Sequence, residues 1–540
     1  MWMRGTSAGA AVRIMNAASH GRRPRVNRKG LAALLALGFL AGCTTGGGTA
    51  APTGGAGRAV ALKFYDAQGH GTLLSPRRAR AVTHGSGGSD SDALVDPRTL
   101  RVLDDFPLYE DGPRLRFDLP GRGGPAALAL NWPTDQGFST VVVDNGGKGF
   151  TRGATVVFNH AAAQDAKRRL DEALALRPSY RRSARFTAAY RTAARELARA
   201  DAADSDAGRG KHGQRALSAV DAAYGQLLEE YGPRARREHA PWTGVTVADG
   251  ADPKRWAPLA GSLTRPDGWV RIVFDPDEDP VDPDDPRAPV PRRYREAVAA
   301  AHAAGLKVLG QPVDSAYANG SEHPELGTRA GYLARIKRYV DAFPDIEAWE
   351  IGNEVNGCWT DSRTTGGGDC TDRLLPPRDR MRHKVADAAA YVRKKRPEAA
   401  VVLTLYWQLG TDAARWSAFT WPRANLPRAV REDIDVVLLS SWIEDAPLGL
   451  AFDQVLTRLA ADFPDQRVGL GELGYWNEDT SRFYWAFDED DPAAARRRVA
   501  RRYYAAALGY PSSVGGTFWW YFAQEMPGDA GLRAAVRGAR

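Results

Sequence analysis

The 540-residue chain is predicted to be multidomain, with a C-terminal (β/α)8 TIM barrel preceded by a β-sandwich-like domain and a helical spacer. Three observations carry that prediction. From about Pro241 onwards an apolar strand and a helix alternate eight times, over 300 residues (540 − 240), and such a barrel usually takes about 250. The strands there are nearly continuous in apolar residues, as in a parallel sheet covered on both faces. Upstream the pattern changes from strand-like runs between Gly-rich turns to apolar residues at helical spacing.

Residues 1–42 read as a lipoprotein signal peptide. Arg22, Arg23, Arg25, Arg28 and Lys29 form a basic region, and residues 31–42 (LAALLALGFLAG) form an apolar run too short to span a bilayer as a mature helix. The run ends in Leu40-Ala41-Gly42-Cys43, which resembles the bacterial lipobox, and the resemblance implies lipidation of Cys43. The expected location is therefore the cell envelope, with the chain held to a membrane by its N-terminal lipid and facing the periplasm or exterior. Residues 43–58, rich in Gly, Thr, Ala and Pro, read as a flexible tether.

Residues 59–160 contain LKFYDAQGHGTLL, RLRFDL, AALALNW, FSTVVVDN and ATVVFNH, and read as the β-sandwich-like accessory domain. Trp132 and Phe138 within it are read as core rather than as a sugar platform. Residues 161–240 read as two or three antiparallel helices forming the spacer, and Gly208 to Gly213 (GRGKHG) is expected to break the last two apart. Residues 241–540 form the barrel. Its strands are GVTVAD, WVRIVFD, LKVLGQPVD, IEAWEIGNE, AVVLTLYW, IDVVLLSSW, RVGLGEL and VGGTFWWYF.

Composition narrows the function. Hydrophobic residues make up 43% and charged residues 26%, as in a globular protein. The net charge of +8 lies partly in the leader, and no basic run is interleaved with aromatics, so nucleic acid is not an expected partner. No clustered His/Cys motif, phosphate-cradling glycine loop or nucleophilic-serine elbow is present, and no cofactor is expected. A monomer is expected.

Two carboxylates stand at strand ends, where this barrel fold keeps its reactive groups. Glu354 follows Asn353 at the end of the fourth strand, and Glu472 lies near the end of the seventh, 118 positions later (472 − 354). Two carboxyl groups flanking one glycosidic bond are the minimum machinery of most glycoside hydrolases. Cys358 and Cys370 lie twelve apart in the loop after strand four, and one disulfide there plus one lipidated Cys43 accounts for all three cysteines. Closing that loop contributes on the order of 3 kcal/mol in the loop-entropy model. The acidic run DPDEDPVDPDDP (275–286) is read as a solvated loop, with calcium or a cationic sugar as the functional alternatives.

WEIGNE at 349–354 and GEL at 471–473, in a register of eight strands, resemble the clan A retaining β-glycosidases. The resemblance covers the barrel, a little over half of the chain. It implies hydrolysis of a β-linked poly- or oligosaccharide with retention, Glu354 as acid/base and Glu472 as nucleophile. It also implies that Asn353 binds the sugar 2-hydroxyl, that Arg271 supports the nucleophile, and that Trp519 or Trp520 floors the subsite beside the cleaved bond. Trp442, Tyr406 and Tyr475 are further strand-end aromatics expected to touch ligand. The chain departs from the clan at strand six, which reads SSW where many members have His-x-Tyr. It departs again at strand three, which ends in Gln311 and Asp314 where some have His. The competing expectation is a non-catalytic glycan-binding lipoprotein whose carboxylates cannot flank one bond. An envelope scaffold would instead have a barrel mouth plugged by side chains.

Overall fold

A computed structural model describes residues 59–83, 92–121, 124–238, 242–248, 251–264, 268–279, 288–362, 374–408, 414–443, 447–475 and 492–539. The leader, Cys43 and the tether lie outside the described residues, as do Cys370 and residues 280–286 of the acidic run.

The N-terminal part holds two four-stranded sheets. Its strands are β1 (Ala59–Lys63), β2 (Ala93–Val95), β3 (Val102–Asp105), β4 (Tyr109–Asp111), β5 (Arg114–Asp118), β6 (Ala127–Thr134), β7 (Gly137–Val143) and β8 (Thr155–Val157). One sheet runs in the order β4-β5-β1-β8 and the other β3-β2-β6-β7. Trp132 is fully buried, lies against Phe64 and Phe158, and donates from its indole nitrogen to Gln214 at 2.8 Å, so it belongs to the core.

Two sequence expectations are corrected in this part. The strand expected over ATVVFNH stops at Val157, and a helix begins at Phe158. Phe158, Ala161, Ala162 and Ala166 are buried at helical spacing, and Phe158 stacks on Phe64 with centroids 4.6 Å apart. Nor does GRGKHG break a helix: one helix runs through it from Asp206 to Glu238, and the break falls at 202–205. The glycines serve close approach instead. A Cβ on Gly210 would stand 2.3 Å from the Tyr65 ring, and one on Gly213 would stand 2.6 Å from the His160 backbone. Packing against two neighbours outweighs the poor helix propensity of glycine.

The barrel strands are β9 (Trp242–Val247), β10 (Gly268–Val273), β11 (Lys307–Gln311), β12 (Ala348–Gly352), β13 (Ala400–Tyr406), β14 (Val436–Ser440), β15 (Arg467–Leu473) and β16 (Ser513–Trp519). All eight are parallel, and β16 pairs with β9 to close the barrel. Side chains alternate in and out along each strand. Trp242, Trp269, Leu309, Ala348, Val402, Val436, Leu438, Val514 and Phe518 fill the interior as a separate apolar layer. Two residues further along, the same alternation turns Arg271, Glu350 and Thr404 into the lumen, and Glu472 joins them from β15. The barrel floor is thus oil-like and its C-terminal end polar.

The three N-terminal helices, Phe158–Ala175, Ala184–Asp201 and Asp206–Glu238, do not hold the sheets away from the barrel. The last packs on the barrel helix Pro492–Gly509, with Gly232 against the Ala505 backbone. Buried Arg177 forms a bidentate pair with Asp453, at 2.6 and 2.7 Å, and Arg502 pairs with buried Asp221. One apolar cluster is shared by the sheets, the helices and the outer face of the barrel. No described helix is long and apolar enough to cross a membrane.

Candidate active site

The polar end of the barrel is organised around one arginine. Arg271, on β10, is buried and points into the lumen. Its Nε and Nη2 donate to the two oxygens of Glu350 at 2.7 and 2.9 Å, and its Nη1 donates to Glu472 Oε1 at 2.6 Å. The two carboxylates raise the guanidinium pKa, against a burial effect that would lower it. Thr404 Oγ1 donates to Glu350 Oε1 at 2.5 Å, so Glu350 is held from two strands.

Glu350 has no role in the sequence-level reading, although it stands within the quoted WEIGNE. The signal was present: alternation from inward Ala348 turns Glu350 inward, and a carboxylate inside a barrel strand needs a partner. Arg271 is that partner.

Glu472 accepts from Arg271 and, at 2.8 Å, from Asn353 Nδ2. Burial pushes its carboxyl up to about 7; Arg271 opposes this, while Asp314 and Glu350 add to it. Asn353 is therefore engaged inside the site: its Oδ1 accepts from the Ser315 amide at 2.9 Å while its amide nitrogen faces Glu472.

Glu354 sits just past β12, where the register shifts between Glu350 and Gly352. Its φ is +45°, a left-handed conformation that costs a residue other than glycine on the order of 1–3 kcal/mol. The local hydrogen bonds Gly357 N to Glu354 O (2.7 Å) and Val355 N to Thr404 O (3.1 Å) hold the backbone there. The turn brings the side chain to Ser315, whose Oγ donates to Glu354 Oε2 at 3.0 Å, and to Trp442, whose indole nitrogen makes a long 3.4 Å contact with Oε1. No cation pairs with Glu354 among the described residues. Burial, and then the charges of Glu472 and Asp314, raise its pKa well above the usual carboxylate range.

Asp314, past the end of β11, is a third carboxyl in this group. It accepts from Ala316 N at 2.9 Å and Gln311 Nε2 at 3.1 Å, and burial raises its pKa. Glu354, Glu472 and Asp314 are only 1%, 4% and 6% exposed. The carboxyl group is thus enclosed, where each charge acts more strongly than in water.

Aromatic residues close the opposite side. The Trp520 ring lies over Arg271, 5.5 Å from the guanidinium carbon, and meets Trp442 edge-on at 6.1 Å. Trp442 also meets Tyr521 at 5.9 Å. Trp519, the other tryptophan expected at the site, faces away: it is fully buried, and its indole nitrogen donates to Glu525 Oε2 at 2.8 Å. Alternation from inward Phe518 sends Trp519 outward and Trp520 inward. Tyr406 is buried at the end of β13, edge-on to Trp359 at 5.1 Å, and its backbone is bonded on both sides by the Asn356 side chain. Trp359 was not anticipated, since it lies in the loop after β12 rather than at a strand end. Tyr475 is buried within the main apolar cluster.

Cys358 is buried, and its expected partner Cys370 lies outside the described residues. The described part of the acidic run is engaged in local pairs. Asp279 meets Arg338 and Tyr339; Asp277 meets His323 and Tyr317; Glu278 meets Arg293. Among the described residues no group of three or more His, Cys, Asp or Glu side chains is arranged to hold a metal ion.

No protein-family model matches the chain, and no curated protein matches it. Solved structures show distant likeness to part of the chain. A GH10 xylanase from Bispora sp. MEY-1 is 13% identical with a TM-score of 0.38, covering 58% of this chain and 99% of its own. A glycoside hydrolase family 5 enzyme from Prevotella bryantii B14 is 12% identical with a TM-score of 0.35, covering 58% and 97%. A β-1,4-mannanase from the sea hare Aplysia kurodai is 12% identical with a TM-score of 0.32, covering 53% and 84%. Likeness at this level carries no argument for this chain, whose barrel rests on its own strand pairing.

Proposed function

We propose that the chain is a glycoside hydrolase that cleaves β-glycosidic bonds of a poly- or oligosaccharide with retention, Glu354 acting as acid/base and Glu472 as nucleophile. One observation carries this reading. Two enclosed carboxyls, at the ends of β12 and β15, have opposite surroundings: Glu472 is bonded to a guanidinium and an amide, and Glu354 to a hydroxyl and an indole. Such a pair separates into a group that ionises and a group that keeps its proton, which is how acid and base roles are assigned in a shared site.

The chemistry follows from that difference. Glu354, protonated, gives its proton to the glycosidic oxygen as the bond to the leaving sugar breaks. Glu472, ionised, attacks the anomeric carbon and forms a glycosyl ester. Ester formation removes the Glu472 charge, one of the effects holding the Glu354 proton, so Glu354 then ionises more readily. It next takes a proton from a water that displaces the ester. Arg271 and Asn353 both hold Glu472 Oε1 in place, and Glu350, itself held by Thr404, holds Arg271. Trp520 and Trp442 offer ring faces for a sugar.

Lipidation of Cys43, attachment to the cell envelope and a Cys358–Cys370 disulfide walling the cleft belong to the same proposal.

The near-complete burial of the carboxyls favours a second reading, a barrel that binds glycan or serves as a scaffold without turnover. A plug of packed apolar side chains, however, would not bury four carboxyls around one arginine. The test is hydrolysis by residues 58–540 of a panel of β-linked substrates, including xylan, xyloglucan, β-1,4-mannan and aryl β-glycosides, beside Glu354→Gln and Glu472→Gln. Turnover lost in both folded variants supports the pair. Turnover indifferent to both removes it, and binding without turnover supports the second reading.

A further inference from the structure

The segment that follows β14 is gripped by the N-terminal part of the chain. Thr140, fully buried on β7, donates from both its backbone N (3.2 Å) and its Oγ1 (2.6 Å) to the Pro447 carbonyl. Two residues on, Gly449 has a φ of +51°, and a Cβ there would stand 2.2 Å from Ser139 Oγ, so only glycine lets the two backbones meet. Asp453 N donates to the Tyr224 hydroxyl at 3.1 Å, and the Asp453 carboxylate forms the bidentate pair with Arg177. Arg177 also donates from Nε to Gly509 O at 3.0 Å and from Nη1 to Ala173 O at 2.9 Å, so the grip is tied to the helix Phe158–Ala175 and to the end of the barrel helix Pro492–Gly509. On the other side of this grip stands Trp442. Its neighbour Ile443 is buried and shares with Gln136 and Phe138 of the N-terminal part the lining of a void of about 20 Å³. Ile443 and Phe138 thus stand across one small gap between that part and the chain carrying the indole that meets Glu354.

We infer that the N-terminal sheets and helices are a fixed wall behind the segment that follows β14: through Thr140, Tyr224 and Arg177 they hold it at Pro447 and Asp453, so that Trp442 stays against Glu354. They are therefore not a detachable binding module. Thr140, Tyr224 and Arg177 act through Trp442 and are positioning residues. The catalytic half of this inference rests on Glu354 being the acid/base; the positional half does not.

The test uses residues 58–540 and two measurements. Hydrogen exchange of the peptide spanning 436–443 reads the hold on Trp442 without any substrate. Thr140→Val removes one donor at constant volume and is expected to speed exchange there about five-fold, the population change that one lost hydrogen bond permits. Thr140→Ser keeps the hydroxyl and is expected to restore slow exchange. Tyr224→Phe, a milder change on a different element, is expected to act in the same direction and serves if Thr140→Val does not fold. The second measurement is the pH–rate profile on the best glycan. Looser packing admits water to Glu354, so the alkaline limb is expected at lower pH in Thr140→Val. Trp442→Phe is expected to move the same limb, and the double variant to move it no further than Trp442→Phe alone. Unchanged exchange at 436–443 in both Thr140→Val and Tyr224→Phe overturns the inference. Faster exchange with an unmoved limb overturns its catalytic half. Faster exchange with no glycan turned over leaves the wall standing and removes the proposed function instead.

Discussion

Two arginines are buried in this chain to the same degree and do different things. Arg177, at the seam between the N-terminal helices and the barrel, meets one carboxylate, Asp453, and two backbone carbonyls. One positive charge faces one negative charge, and nothing is left over. Arg271, at the open end of the barrel, meets Glu350 and Glu472 while Asp314 and Glu354 stand close by. One positive charge there faces four carboxyl groups. A buried pair in balance is a fastener. A buried group out of balance can exist only if some carboxyls keep protons near neutral pH, and a stored proton beside an ionised neighbour is what acid/base chemistry requires.

The comparison can be broken most directly at the surplus carboxyls. Glu354→Gln and Glu472→Gln are each expected to lower kcat/KM by about 10²- to 10⁴-fold with the fold retained, as read by steady-state kinetics beside circular dichroism. A folded Glu472→Gln that keeps wild-type turnover would falsify the assignment.

The arginines come next. Arg177→Met and Arg271→Met each leave buried carboxylate without its cation and are each expected to cost about 3–5 kcal/mol in urea unfolding. Only Arg271→Met should raise the acidic limb of the pH–rate profile, because Arg271 is what lowers the Glu472 pKa from a still higher position. If Arg177→Met moves that limb equally, the distinction between fastener and site fails.

The pH profile itself follows in size. Glu472 titrates near 7 and must be ionised to attack, so kcat/KM is expected to fall as pH drops below about 7. Glu354 must be protonated, and burial with the charges of Glu472 and Asp314 holds its pKa well above the usual carboxylate range, so activity is expected to fall again on the alkaline side. Stability should run the other way at Glu472. Its folded pKa is raised above the unfolded value of 4.5, so its contribution is fully present below 4.5 and is lost as pH rises through about 7. Glu472→Gln is therefore expected to be more stable than the wild type above pH 7, by on the order of 1 kcal/mol, with the gain vanishing near pH 4. Thermal melts at the two pH values check this.

The smallest effect separates the neighbouring tryptophans. Trp520→Ala is expected to weaken substrate binding. Trp519→Phe removes the indole donor to Glu525 and part of a buried ring, and is expected to cost about 1–2 kcal/mol of stability with KM unchanged.

How much of this was legible in the sequence depends on which residues carry local pattern. The barrel was legible strand by strand, because buried parallel strands are apolar runs and eight of them leave few alternatives. Glu354 and Glu472 were legible because each interrupts such a run near its end, and Arg271 was named only through the resemblance of its strand. Glu350 and Trp359 were not anticipated: the first lies in the middle of its strand, and the second stands in a loop whose path no local pattern fixes. GRGKHG misled because glycine reads as a breaker when its neighbours are unknown, and Tyr65 and His160 lie some 145 and 53 positions away (210 − 65 and 213 − 160).

The sequence by itself therefore determined the kinds of elements, their order and the presence of a carboxyl pair, since periodicity and burial demand are local properties of the chain. The tertiary structure alone decided which tryptophan faces the site, which carboxylate holds Arg271, and that the N-terminal helices lie on the barrel instead of apart from it. Those outcomes depend on side-chain direction and on contacts between residues hundreds of positions apart, such as Arg177 with Asp453 and Thr140 with Pro447. Only the closed fold brings such residues within hydrogen-bonding distance.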